Sequence, residues 1–297
     1  MRRAAYLGTL VALSCLATAG PSAQSTSRRI YVSAVDAATG VPVANLGPAD
    51  LAIKEDGAPA TVTKVALSIH PMRIALLVDT TDTSHYEIAD LRAALDGFID
   101  AVPSPHEMLI VSTGQQVRVR VQPTADRKRL KDAAKNIFYD GHGGGTLLFD
   151  ALFEVDNRFL KKAGDMTPVI LIVTGDGAEV SQRYDQKAFT SLANGIALRG
   201  IQVHAAVFSR GAIQAPGSMS QFLGNLTKGH VELEPVSKTL PERLKALAVQ
   251  IVESDTKMAS WYDVDYQSAS KAAQPATEVV TIRQGIRTQI SATRRLP

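Results

Sequence analysis

Three short polar segments, far apart in the chain, carry the residue types that bind a hard metal cation. They are Asp79-Thr80-Thr81-Asp82-Thr83, Gly143-Gly144-Gly145-Thr146 and Gly175-Asp176-Gly177, and each comes shortly after a hydrophobic run. Hard divalent cations prefer oxygen ligands, which carboxylates and hydroxyls supply. Loops beyond the ends of parallel strands lie at one edge of a sheet, so side chains from separate segments can meet there. The sequence therefore predicts a single metal site.

The elements that must position these segments are strands of a parallel sheet. Between residues 72 and 256, apolar runs alternate with helical periodicity, which is typical of a sheet covered on both faces. The two runs Val117–Val121 and Val231–Glu234 alternate apolar and charged residues, so we expect them at the sheet edges. The predicted central strands are Ile74–Val78, Met108–Val111, Val169–Val173 and Ile201–Phe208.

The predicted fold class is α/β: a doubly wound, mostly parallel six-stranded sheet with helices on both faces. A hairpin through Thr113-Gly114-Gln115 is short enough to make one antiparallel pair. One of the covering helices is expected to begin at Thr146, because Leu148, Leu152, Val155 and Phe159 then share a helical face.

The two ends of the chain differ from this middle part. Residues 24–71 and 257–297 contain short runs of period two separated by turn residues such as Asp56-Gly57. Neither end has enough strands for a stable sheet by itself. We expect the two ends to pair into one small β module, with the α/β domain of residues 72–256 inserted between its halves.

The first 23 residues have the pattern of an export signal. Met1-Arg2-Arg3 gives a positive start, Ala4–Thr18 an apolar segment, and Ala17-Thr18-Ala19 a small-residue cleavage site, with Ala23 as a second possible site. A permanent anchor needs about 20 apolar residues, and a lipid-bearing Cys15 would need leucine where Ala12 stands. The predicted location is periplasmic or secreted.

Composition excludes several classes. The 297 residues are 45% apolar and 21% charged, as in ordinary globular proteins. Loss of Arg2 and Arg3 with the signal lowers the formal net charge from +3 to +1, which gives no electrostatic basis for nucleic-acid binding. Cys15 is the only cysteine, so the exported protein is expected to have no disulfide.

The three polar segments resemble the metal-ion-dependent adhesion site (MIDAS) of von Willebrand factor type A (VWA) domains. Further similarity, in Val41-Pro42-Val43, Glu55-Asp56-Gly57 and the C-terminal Trp261–Pro297, is to the subfamily described as acidobacterial VWFA-related proteins. The resemblance implies a doubly wound fold with Mg²⁺ or Mn²⁺ at the carboxyl edge of the sheet.

In this resemblance, the hydroxyls of Thr81, Thr83 and Thr146 are direct ligands, while Asp79 and Asp176 act mainly through bound waters. The remaining metal position is filled by an Asp or Glu carboxylate of a protein partner, as in cell adhesion. Asp82 stands where glycine is common in the family; its carboxylate could attract the cation or point into water.

An enzyme is not expected. His142-Gly143-Gly144-Gly145 matches oxyanion-hole segments of lipases, but the Gly-x-Ser-x-Gly nucleophile motif is missing from the sequence. His204, inside an apolar strand, is expected to be a hydrogen-bonded core residue. The function predicted from the sequence is cation-dependent protein binding. The alternatives are a structural VWA scaffold with a vacant metal site in an envelope assembly and, less favoured, a metal-assisted hydrolase.

Overall fold

The computed structural model describes residues 26–84, 86–140, 144–234, 236–272 and 274–292. The predicted signal segment, residues 1–23, lies outside these ranges. Within them, no helix combines the length and the apolar composition needed to cross a membrane.

The described chain contains twelve strands and six α-helices. The strands are β1 Thr26–Asp36, β2 Leu51–Glu55, β3 Ala58–Leu67, β4 Met72–Val78, β5 Glu107–Thr113, β6 Val117–Thr124, β7 Thr167–Thr174, β8 Gln202–Phe208, β9 Val231–Glu234, β10 Tyr262–Ser268, β11 Thr277–Thr281 and β12 Ile286–Ser291. The helices are α1 Ile88–Ala101, α2 Arg127–Lys135, α3 Leu148–Val155, α4 Gln186–Leu198, α5 Ala215–Leu226 and α6 Leu240–Met258. A π-helical turn, Asp156–Leu160, continues α3.

The middle of the chain forms a six-stranded sheet in the order β6-β5-β4-β7-β8-β9. All neighbours are parallel except β6, which pairs antiparallel with β5 through the expected hairpin. The predicted α/β class, central strands and edge strands are confirmed. Strands β5 and β6 lie on one side of β4, and strands β7, β8 and β9 lie on the other, so the strand order reverses at β4. Such a switch point leaves a crevice outside the carboxyl ends of the strands.

Helices cover both faces of this sheet, and the alternation of side chains along β4 shows how. Ile74 and Leu76 pack with α1 and α6 on one face. Ala75 and Leu77 pack with α3 and α4 on the other. Because both faces of a central strand are buried, the strand reads as a continuous apolar run.

Strands from the two chain ends pair in a second sheet, with the order β11-β2-β3-β10-β1-β12. β1 lies between β10 and β12, and β2 pairs with β11, so N-terminal strands pair with C-terminal ones as the sequence led us to expect. Val32, Ile53 and Val264 are in its apolar core. The domain boundaries at residues 71 and 256 remain predictions.

A buried polar cluster around Glu55 links the two chain ends inside this second sheet. Arg28 of β1 lies 3.5 Å from the Glu55 carboxylate of β2, and both side chains are at most 5% exposed. The Tyr266 hydroxyl donates to Glu55 Oε1 at 2.6 Å, and Ser268 donates to Oε2. Glu55 thus joins β2 to β1 and β10.

Replacing Glu55 by alanine should lower the free energy of unfolding by about 3–5 kcal/mol, because Arg28 would stay buried without its carboxylate. Urea denaturation would measure the loss. Lys54→Ala, at the neighbouring exposed position of β2, is the control and should change stability by about 0.5 kcal/mol or less. Equal effects of the two substitutions would contradict this role for Glu55.

Candidate metal centre

The loop after β4 is organised by the carboxylate of Asp79. The Asp79 N–H still bonds to Val173 O of β7 at 2.8 Å, so the residue begins at the sheet edge itself. Its Oδ1 accepts the Thr81 N–H at 2.9 Å and the Thr81 hydroxyl at 2.7 Å. This local ring fixes the hydroxyl of Thr81 two residues after the strand.

The chain of oxygens continues from Thr81 to the second polar segment. The hydroxyls of Thr81 and Thr83 are 3.0 Å apart, and the Thr83 hydroxyl donates to Gly144 O at 2.9 Å. Asp79, Thr81 and Thr83, three of the predicted ligands, therefore form a continuous line of oxygens, each within 3.0 Å of the next. Asp82, between the two threonines, has an exposed side chain.

The second oxygen of Asp79 is in a different situation. Asp79 is 1% exposed, and its Oδ2 is buried with no hydrogen-bond partner in the described part of the chain. Burial raises the pKa of Asp79 to about 6, although Thr81, Thr174 and Gly175 lower it in part. The Thr174 hydroxyl is likewise buried with no hydrogen-bond partner among the described residues. A buried oxygen without a donor is an unfilled position for a proton or a cation.

Glycines of the third segment allow β7 to approach this loop. A side chain at Gly175 would overlap the backbone of Ser84. At Gly177 an added Cβ would lie 2.7 Å from the Thr83 hydroxyl and 3.6 Å from that of Thr81. The backbone at Gly177 therefore lies directly against the two hydroxyls, and any larger residue would fill the space beside them.

Thr146 lies close to the third segment through its backbone. Its N–H donates to Ala178 O at 2.7 Å, and its carbonyl accepts Val180 N–H at 3.0 Å. These bonds hold Thr146 in an isolated bridge with Glu179, so α3 begins at Leu148 and the expected start at Thr146 is wrong.

The Thr146 side chain is fully buried and bonds to Thr113 at the end of β5. Its Oγ1 is 2.6 Å from both the hydroxyl and the carbonyl oxygen of Thr113. Thr146 thus follows closely after Gly144, whose carbonyl accepts from the Thr83 hydroxyl. The Thr146 hydroxyl, however, bonds to Thr113 and not to the first loop.

Asp176 is half-buried two residues after the end of β7, immediately before Gly177. Its Oδ2 accepts the N–H of Arg210 at 2.9 Å, which ties it to the loop after β8. The five predicted ligands thus lie on three neighbouring loops. The loops that carry Thr146 and Asp176 contact the first loop through the backbone at Gly144 and Gly177. Ligation of a metal by these residues stays a prediction.

Polar residues around the first loop, not predicted from the sequence, hold it in place. The Tyr86 hydroxyl donates to Asp79 O, and Thr80 donates to Asp140 Oδ1. Arg120 donates to Asp140 Oδ2 at 2.7 Å and to Ser112 Oγ at 2.8 Å. The sequence signal for this network was the alternation of arginines in β6. That pattern indicates an edge strand, but it does not show that Asp140 is the partner of Arg120.

The donor set fits a hard cation. One buried carboxylate with a free oxygen, a half-buried carboxylate and hydroxyls are oxygen ligands of the kind Mg²⁺ and Mn²⁺ accept. The described residues contain no group of three or more His, Cys, Asp or Glu side chains that could hold a metal. The predicted set differs from such a group because it has two carboxylates, and its other three donors are threonine hydroxyls.

Other polar residues of the α/β domain have structural roles. Glu179 accepts the N–H groups of Ser181 at 2.8 Å and Phe149 at 3.2 Å, and burial raises its pKa. His204 is 1% exposed and its Nδ1 accepts the His230 N–H at 3.1 Å, which confirms a hydrogen-bonded core histidine. His142 lies outside the described residues.

The chain is structurally similar to solved VWA domains. With a von Willebrand factor type A protein from Catenulispora acidiphila it shares 14% identity at a TM-score of 0.52, over 70% of this chain and 51% of that one. With BatB from Bacteroides thetaiotaomicron it shares 13% identity at a TM-score of 0.48, over 63% of this chain and 99% of that one. Proximal thread matrix protein 1 from the mussel byssus was solved with a zinc-occupied MIDAS motif. With it the chain shares 11% identity at a TM-score of 0.49, over 72% of this chain and 50% of that one.

These similarities concern the fold, and the Catenulispora structure carries that argument. The chain spans about half the length of that protein. No family model matches the sequence, and no curated protein matches it either. The resemblance to the acidobacterial subfamily therefore remains a prediction.

The raised pKa of Asp79 predicts a pH-dependent stability in metal-free buffer. Its folded pKa of about 6 exceeds the ordinary value, so between about pH 4 and pH 6 the folded state binds more protons than the unfolded state. Stability should fall as pH rises through this window. The free energy of unfolding of wild type minus that of Asp79→Asn should decrease by about 3 kcal/mol from pH 4 to pH 7, as measured by urea denaturation.

Asparagine keeps an oxygen for Thr81 and cannot ionise, which is why Asp79→Asn isolates the effect. Asp82→Asn, on the exposed neighbour, should follow the wild-type curve. Parallel pH curves for wild type and Asp79→Asn would show that the burial of Asp79 does not control stability in this range.

Proposed function

We propose that this chain, which has the von Willebrand factor type A fold, binds a protein partner through a divalent cation held at the carboxyl edge of its sheet. The observation that carries the proposal is the buried, unpartnered Oδ2 of Asp79 beside the paired hydroxyls of Thr81 and Thr83. A charged oxygen without a donor is costly in a folded protein unless something compensates it.

Each predicted ligand has a definable task in this proposal. Asp79, Thr81 and Thr83 would hold the ion from the first loop, with Thr146 and Asp176 from the other two. The ion, Mg²⁺ or Mn²⁺, would supply an electrophilic position for a carboxylate of the partner, because only two of its protein ligands carry charge. The bonds of Tyr86 and of the Thr80, Asp140 and Arg120 network keep the first loop in place.

Binding without turnover is part of the proposal. The donor set has no His or Cys, and the sequence lacks the nucleophile motif that the glycine-rich segment would need for acyl transfer. We therefore propose an adhesion or assembly role, with a partner that offers an exposed Asp or Glu. The signal pattern of residues 1–23 supports a location in the periplasm or outside the cell for this role.

The second candidate is a VWA scaffold whose metal site stays vacant in an envelope assembly. The hydroxyl of Thr146 favours it, because that hydroxyl bonds to Thr113 and not to the first loop. A metal-assisted hydrolase is the third and least supported candidate.

Mn²⁺ binding separates the first two candidates. Electron paramagnetic resonance of free Mn²⁺, titrated with protein, should show one bound ion per chain that Mg²⁺ displaces. Thr83→Val removes one hydroxyl while keeping the shape, and should weaken binding by about tenfold or more. Thr61→Val, on an exposed position of β3, is the matched control and should bind as wild type.

In thermal unfolding, Mg²⁺ at about 100 times its dissociation constant should add roughly 2.7 kcal/mol of stability, which chelator removes. Absence of bound Mn²⁺ in the wild type would favour the vacant scaffold. Equal affinity in Thr83→Val and wild type would place the ion elsewhere on the molecule.

Partner binding should require the same residues. Immobilised protein is expected to retain an envelope protein in Mg²⁺ and release it in chelator. At the same Mg²⁺ concentration Thr83→Val should retain less, and Thr61→Val should behave as wild type. Addition of free glutamate at high concentration should compete, because its carboxylate occupies the same metal position. Retention that is insensitive to chelator would contradict a cation-dependent interface. Turnover of a phosphoester or ester that is lost in Thr83→Val would instead support the hydrolase.

A further inference from the structure

A cleft of about 360 Å³ lies between α3 and α4, and none of the predicted cation ligands lines it. This volume is within the range of small-molecule sites. Its walls are apolar: Phe149 and Phe153 from α3 face Leu192 of α4. Phe149 is buried, whereas Phe153 is 40% exposed. The cleft therefore exposes an aromatic surface that the fold itself does not cover.

Small residues on α4 keep the cleft open. Ala188, Ser191 and Gly195 line it on that side. A Cβ added at Gly195 would meet no atom within 4 Å, so the space beside the helix is unfilled. Glycine inside a helix normally costs stability relative to alanine, and here nothing in the packing requires it.

The charges around the cleft are unbalanced. Lys161, Arg183 and Arg199 line it, against the single carboxylate of Asp156. Asp156 is 1% exposed and binds both Lys161, at 3.3 Å, and Arg199. The three cations and one anion leave the cleft with a net charge of +2.

Two of the guanidinium groups retain capacity for an anion. Arg183 lies over the Phe153 ring, 5.2 Å from its centroid, and its side chain is exposed. The Arg199 side chain binds Asp156 through Nη2 and is still 32% exposed, so its guanidinium can be reached from the cleft. Guanidinium groups bind carboxylates through paired, charge-assisted hydrogen bonds.

We propose that this cleft binds a small organic carboxylate that carries an aromatic ring. The ring packs between Phe149, Phe153 and Leu192, and the carboxylate is held by Arg183 and Arg199. The aromatic walls select the ring and the net positive charge selects the anion. This site is independent of the cation site, and each can fail without the other.

Isothermal titration calorimetry of the purified protein with phenylacetate tests the proposal. Phenylacetate should bind, and 2-phenylethanol, which has nearly the same shape but no charge, should bind about tenfold more weakly or not at all. Gly195→Leu should abolish binding by filling the cleft, while Gly195→Ala should retain it. Arg183→Gln should weaken binding by about tenfold, and Arg129→Gln, on α2, should leave it unchanged.

Thermal unfolding of Gly195→Leu shows whether this variant folds, and Ser191→Phe offers a second way to fill the cleft. No binding of phenylacetate to the wild type overturns the proposal, and so does binding that persists in the folded variants with a filled cleft. Equal affinity for phenylacetate and 2-phenylethanol overturns the assignment of an anion.

Discussion

The burial of a single carboxylate, that of Asp79, is the constraint on which the carboxyl edge of the sheet depends. One of its oxygens is used within the loop, by the N–H and hydroxyl of Thr81, and the other has no donor among the described residues. Removing this group from water raises its pKa to about 6. The fold thus maintains a partly unsatisfied charge at a point where three loops meet, and such a charge is costly unless a proton or cation compensates it.

Topology explains why that point is accessible. β4 lies where the strand order reverses, so the loops after β4 and β7 leave the sheet side by side. The close approach of these loops requires glycine, since a side chain at Gly175 would overlap Ser84 and one at Gly177 would lie 2.7 Å from the Thr83 hydroxyl. The glycines of the third segment are therefore explained by backbone contact with the first loop.

The loop from Asp176 to Asp185 connects the cation site with the α3–α4 cleft. Asp176 lies at the sheet edge, Glu179 accepts the Phe149 N–H in the first turn of α3, and Asp185 caps α4 by accepting the Ala188 N–H at 2.7 Å. One short segment thus fixes the beginnings of both helices that form the cleft walls. The two sites are built on the same framework, although their ligands differ in kind.

The sequence by itself determined the central strands and the local part of the site. A strand buried on both faces must be continuously apolar, and Thr81 and Thr83 follow Asp79 so closely that their spacing alone brings the oxygens together. Only the tertiary structure decided that Thr146 bonds to Thr113, that Arg120 and Asp140 support Thr80, and that small residues of α4 leave a cleft opposite Phe153. These contacts join residues distant in the chain, and no local periodicity records which distant side chain will arrive at a given atom.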